Sequence, residues 1–280
     1  VTLATSAVVD LSGVGISRID ASAFEGLKCG SVWLQHNNVT MLPSGAFHGV
    51  QLSGDIVLSG SAVNVVQPGA FLDAVVHGSL NLDGNPLAEL QSGSLGNMSI
   101  GADLNLSRSS HLGVLPARFA AHTEVNGSVF VSNCSRLSNL QTSAFQGLSV
   151  FGGSVVLTLN PRIATIETRA FGGLKIVDVG RLRFDGSVVR RVNSRGFVDI
   201  HVLSPHDNQQ ATLSLRGVHL REIGEACFDG LVAGGLDLSM NAVSHVPAGA
   251  FGMVNLSSAL NLTGSGVTTF DPWAFAGLRA

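Results

Sequence analysis

Apolar residues recur along the chain in a fixed order: an apolar-x-apolar pair, two further apolar positions, then a phenylalanine, with polar residues between them. The pairs begin at Val9, Val32, Ile56, Leu80, Leu104, Val129, Val155, Leu182, Leu213, Leu236 and Leu260. The closing positions are Phe24, Phe47, Phe71, Leu95, Phe119, Phe145, Phe171, Phe197, Phe228, Phe251 and Phe275, spaced 23 to 31 residues apart. An alternating pair of this kind reads as a very short strand with its ends inward and its middle residue outward. Such a strand is unstable alone, so eleven cycles in register predict a solenoid in which each repeat buries its apolar edge against its neighbours. The intermediate apolar positions, such as Val39 and Leu42 or Ile163 and Ile166, are expected to line the core with the phenylalanines.

Three residues after the second strand position runs a small polar column: Asn37, Ser61, Asn85, Cys134, Asn160, Ser187, Asn241 and Ser265. Where the chain leaves the sheet, its backbone groups lose their ladder partners, and a buried amide or hydroxyl can replace them. Val14 and Val218 hold this place in the first and ninth repeats, so those turns are expected to be less well fixed.

The stretches LDLSMNAVSHVPAGAFGMV (236–254) and VWLQHNNVTMLPSGAFHGV (32–50) resemble the leucine-rich repeats of extracellular proteins, and the resemblance covers essentially the whole chain. It implies an α/β repeat solenoid: an arc with a parallel β-sheet on its concave face and mostly irregular or short 3-10 segments on its convex face. It also implies a single domain over 1–280 of about eleven repeats and a binding role, without naming the ligand. Two departures stand out. The second of the leucines that usually follow the phenylalanine is commonly Gly, Ser or a polar residue here, which predicts looser convex packing. The cysteine-rich caps of many such ectodomains are also absent. Val1 lies eight residues before Val9 and Ala280 five beyond Phe275, both near the same phase of a repeat. The array is therefore expected to continue, or to stack end to end.

Outward strand positions are Asp10, Trp33, Val57, Asn81, Asn105, Phe130, Val156, Arg183, Ser214, Asp237 and Asn261, with a second row two residues on that includes Asp185 and Arg216. Trp33, Phe130, Val156, Arg183, Asp185, Arg216 and Asp237 are the candidate ligand-binding residues of this face, since aromatic and arginine side chains anchor interfaces. Single exposed apolar side chains are, however, ordinary on any surface.

Composition narrows the function. Hydrophobic residues are 45% and charged residues 12% of 280, enough to bury a large interior. A net charge of -3 with only two lysines gives no basic surface for a phosphate backbone, so nucleic acid is not an expected partner. No apolar run is long enough for a transmembrane segment. Seven N-x-S/T sequons, at Asn38, Asn97, Asn105, Asn126, Asn133, Asn255 and Asn261, point to glycosylation and to an extracellular or cell-surface location. Strand sequences of this template also generate sequons by themselves, as at Asn105 and Asn261.

Cys29, Cys134 and Cys227 lie many repeats apart along a stack that rises only about 4.8 Å per strand, too far for a disulfide, so all three are expected to be free, buried thiols. An insertion after Phe197 carries His201, His206, Asp207 and Asn208, which could ligate a metal or simply form a solvated loop. No Ser/His/Asp or Cys/His set falls in neighbouring strand positions, so no enzyme activity and no cofactor is expected. Two roles remain: an extracellular module binding a protein or glycan on the concave face, or a structural protein whose copies assemble side by side or end to end in a matrix, cell wall or surface filament.

Overall fold

A computed structural model describes residues 6–178, 180–203 and 211–280. The chain is a parallel β-solenoid of about ten turns with a repeat of roughly 24 residues. Each turn contributes strands to three separate parallel ladders. The first holds eleven strands, from Val8–Asp10 through Ser31–Trp33 and Ile56–Val57 to Leu260–Asn261, each paired with the equivalent strand of the next turn. The second holds ten, from Lys28–Cys29 to Asn255–Leu256. The third falls into runs of three, five and two strands: Met41–Leu42 to Glu89–Leu90, Val114–Leu115 to Glu222–Ile223, and His245–Val246 with Thr269–Phe270. Strands of two or three residues persist because rungs within a run are bonded to the rungs above and below.

The α/β class and the irregular or 3-10 segments expected from the sequence are therefore corrected: two further ladders stand in place of those segments, and no helix occurs among the described residues. The reason lies in the residues that looked like lost leucines. Lys28–Cys29, Gln51–Leu52, Ser99–Ile100 and Glu124–Val125 each place the polar residue outward and the apolar one in the core, the alternation of a half-buried strand. Packing there is as dry as elsewhere: Leu52, Ile100 and Val125 are at most 1% exposed.

Proline marks the breaks of the three-part third ladder. In unbroken turns the residue after the inward strand position donates its N–H to the inward residue of the preceding turn, as Gln67 does to Leu42, Gln91 to Val66 and Gln141 to Leu115 at 3.0–3.1 Å. The three-strand and five-strand runs separate where this donor is Pro116, and the five-strand and two-strand runs where it is Pro247. Pro43 occupies the same place against the first turn, where Ile19 is buried but belongs to no strand. Proline carries no N–H, so each of these rungs loses a ladder bond.

Inside, the phenylalanines form a column of parallel rings. Centroids are 4.8 Å apart for Phe24 and Phe47, 4.5 Å for Phe145 and Phe171 and 5.6 Å for Phe228 and Phe251, with interplanar angles of 2°, 12° and 6°. Offset stacking of this kind adds about 0.5–1.5 kcal/mol per pair beyond area burial. Phe119 is the exception, and the alignment by phenylalanine is one residue out there. Phe47 N donates to Ala70 O and Phe145 N to Ala170 O, whereas Leu95 N donates to the carbonyl of Phe119 itself. Phe119 thus fills the small-residue column, Ala120 takes the ring's place, and Phe119 meets Phe145 edge-on at 87°.

The polar turn column behaves as its chemistry predicts. Asn160 Nδ2 donates to Leu157 O (2.9 Å) in its own turn and to Val131 O (2.7 Å) in the one before, while its Oδ1 accepts Cys134 N (2.8 Å). Asn37, Asn85 and Asn241 repeat this pattern, and Ser109, which belongs in the column, donates to Leu106 O. The valine turns differ from each other. Val14 is 63% exposed and Val218 is buried, yet both turns are secured from the next repeat, where Asn37 Nδ2 reaches Leu11 O at 2.8 Å and Asn241 Nδ2 reaches Leu215 O at 2.7 Å.

A second polar column, unforeseen from the sequence, runs up the corner between the second and first ladders. Ser31 Oγ accepts Asp55 N, Asp55 Oδ1 accepts Ser79 N, Ser79 Oγ accepts Asp103 N, and the series continues through Ser128 and Ser154 to Arg181 N. The preceding residue is usually glycine because the turns touch: a Cβ on Gly153 would lie 2.2 Å from Gly127 O.

Candidate functional site

The outward column of the first ladder is continuous. Strand register places Asp10 beside Trp33, Trp33 beside Val57, Asn105 beside Phe130, Phe130 beside Val156, Val156 beside Arg183, and Ser214 between Arg183 and Asp237. Phe130, Val156 and Arg183 therefore occupy three consecutive rungs about 4.8 Å apart. Trp33 stands apart from them, paired on the far side with the apolar Val57 and separated from Phe130 by Asn81 and Asn105. Trp33, Phe130 and Val156 are half-buried, while Arg183, Asp185 and Arg216 are exposed.

Several polar members of this face already have partners. Arg183 Nε donates to Asp185 Oδ2 at 2.8 Å, and Arg216 reaches Ser239 Oγ at 3.3 Å. Asp237 Oδ1 accepts the N–H of Ser239, and Asp10, Asn81, Asn105 and Asn261 make the same bond to the residue two further on. The column is thus half structural: its Asx side chains replace the ladder bond that the backbone loses as it turns. Hydrogen bonds from the Ser12 hydroxyl and amide hold the Asp10 carboxyl below the usual carboxylate range. In the row two residues on, three turns beyond Asp10, Asp83 is 9% exposed and forms a two-pronged pair with Arg108, the Nε to Oδ1 arm measuring 2.8 Å.

The sequon asparagines divide in two. Asn38, Asn97, Asn126, Asn133 and Asn255 are exposed, whereas Asn105 and Asn261 are half-buried with Oδ1 engaged as above.

All three cysteines are free and buried, in separate turns. Burial pushes the Cys134 thiol up to about 11 and raises those of Cys29 and Cys227 as well. His206, Asp207 and Asn208 of the insertion lie outside the described residues, and His201 sits in the second ladder between Lys175 and Val232. Among the described residues no group of three or more His, Cys, Asp or Glu is placed to hold a metal ion. One hydroxyl–imidazole–carboxylate chain does occur on the third ladder: His245 Nδ1 lies 3.0 Å from Thr269 Oγ1 and Nε2 lies 3.2 Å from Asp271 Oδ2. Both carboxylate and imidazole are about half exposed, and the chain ties the last two turns together. No described helix is long and apolar enough to cross a membrane.

No protein-family model matches the chain, and no curated protein matches it either.

Proposed function

We propose that the solenoid is of the leucine-rich-repeat type, that the first ladder is its concave face, and that this face binds an extracellular protein or glycan without catalysis. The observation that carries this reading is the row of Phe130, Val156 and Arg183 on consecutive rungs of a sheet that runs unbroken through eleven strands. A rigid row combining an aromatic, an aliphatic and a guanidinium group suits an interface anchor, because little side-chain freedom is lost on binding. Trp33 with Val57 supplies a second contact area on the same face. The strand-plus-asparagine turn supports the repeat type, and five exposed sequon asparagines support passage through a secretory pathway.

The test is a binding screen of the chain against extracellular proteins and glycans, followed by two variants, Trp33→Ala with Phe130→Ala and Arg183→Ala with Arg216→Ala. A ligand of this face loses about tenfold or more with at least one of them. Unchanged affinity with both removes the first ladder as the binding surface.

A further inference from the structure

We propose a second binding site, on a different face, for an acidic polysaccharide: a groove of about 560 Å³ along the edge of the second ladder, spanning four turns. It does not depend on the reading of the first ladder. Arg118, Arg169 and Lys175 line it, and none of them is within ion-pair distance of a carboxylate among the described residues. Arg118 Nε is steadied by Gln146 Oε1 at 3.1 Å. Two turns separate Arg118 from Arg169, about 10 Å at the spacing of stacked strands, a distance suited to anionic groups on successive sugar units.

The backbone beneath two of these arginines is the second observation. Arg118 and Arg169 have φ of 52° and 55°, a left-handed conformation that side chains other than glycine adopt with strain. They occupy the turn position two residues before the ring column, which is left-handed in every turn and holds Gly45, Gly69, Gly93 and Gly249 in four turns but Ser22, Ser143, Arg195, Ala226 and Trp273 in others. Three arginines stand in this column, and two of them, Arg118 and Arg169, bring their guanidinium groups to the same groove.

The groove's remaining chemistry selects the ligand class. Gly147, Gly172 and Gly173 leave its floor without side chains, so a chain of sugar rings can lie against the backbone. Glu124 and Asp199 also line it and offer acceptors for sugar hydroxyls, which a pure anion site would exclude. No Phe, Tyr or Trp lines the groove as a platform for base stacking, which argues against single-stranded nucleic acid.

The experiment measures binding of the whole chain at low ionic strength to polygalacturonate, dextran sulfate, neutral dextran and a single-stranded DNA oligonucleotide. The expected result is retention by at least one acidic polysaccharide and not by dextran, with the preferred one showing whether carboxylate or sulfate is the recognised group. Arg118→Gly with Arg169→Gly should weaken it by about tenfold or more, since charge-assisted hydrogen bonds are lost. Glycine adopts this left-handed turn without strain, so the variant's thermal midpoint should hold or rise. Arg136→Ala with Arg162→Ala removes the same two charges from exposed positions outside the groove and should change binding by less than about twofold. Equal retention on dextran, no retention at all, equal losses in the two variants, or tighter binding of the oligonucleotide would each overturn the proposal.

Discussion

The first and third ladders are built by the same turns of the same chain, yet one runs through eleven strands and the other is cut into three pieces. Both are lined inward by fully buried aliphatic side chains, for example Leu58, Leu82 and Leu106 in the first and Val66, Leu115 and Leu140 in the third. Hydrophobic burial therefore does not distinguish them. The difference is the backbone donor that follows the inward residue: Leu106 N reaches Phe130 O and Val131 N reaches Val156 O in the first ladder, while Pro43, Pro116 and Pro247 have nothing to donate in the third. At the first interior break a cleft of about 500 Å³ opens beside Leu90, Val114 and Pro116. Core packing holds the turns in register, and the ladders add to it locally, so one face tolerates missing bonds where the other does not show any.

The largest predicted effect comes from moving a break into the intact ladder. Val131→Pro removes a 2.9 Å bond to Val156 O in mid-sheet and a side chain that is 0% exposed, so unfolding free energy should fall by more than about 3 kcal/mol. Denaturant unfolding measures this, and a loss below about 1 kcal/mol would mean that the first ladder is no more dependent on its bonds than the third. Next comes the turn that secures that ladder's exit. Asn160→Ala leaves Val131 O and Cys134 N without their side-chain partner in a buried position, while Leu157 O keeps the Ser187 hydroxyl, at a cost of about 2–4 kcal/mol. Asn160→Ser should recover part of it, because Ser187 and Ser61 each bond a carbonyl of the preceding turn.

How much of this was legible in the sequence follows from what each signal depends on. Strand positions of the first ladder were readable because Val129 and Val131 or Leu104 and Leu106 alternate with an outward residue, and the column from Asp10 to Asn261 is confirmed rung by rung. Asparagine turns were readable because a buried amide has a specific task. The second ladder was not, since a two-residue strand such as Lys28–Cys29 gives too little alternation to separate from an irregular segment. Phe119 misled because an aromatic residue one place early keeps the apparent period and changes only which column it fills. The groove of Arg118, Arg169 and Lys175 joins residues from several turns, and the signal for it, arginines recurring in one turn column, becomes visible only once the turns are correctly aligned.

A milder change separates the ladders from the other side. Gln91→Pro copies the natural break into the three-strand run by deleting the 3.1 Å bond from Gln91 N to Val66 O. The backbone at this column already accepts proline at three turns, so the loss should be limited to one ladder bond, about 0.5–1.5 kcal/mol. A loss as large as that of Val131→Pro would show that the third ladder bears as much of the stability as the first.

The smallest effect is expected from repairing a break. Pro116→Gln supplies an N–H where Leu90 O lacks a ladder donor, worth about 0.5–1.5 kcal/mol, but it also frees the unfolded chain that proline restricts, which costs about 0.4–1 kcal/mol. These nearly cancel, so the thermal midpoint is a poor readout and amide hydrogen exchange is the informative one. If the missing donor alone divides the ladder, the new amide at position 116 should be protected to the same degree as that of Gln141, and the runs of three and five strands should join into eight. Rapid exchange at 116 with a native fold would place the cause in the segment before it, where His111 and Gly113 border the cleft, and proline would then be a consequence of the opening instead of its origin.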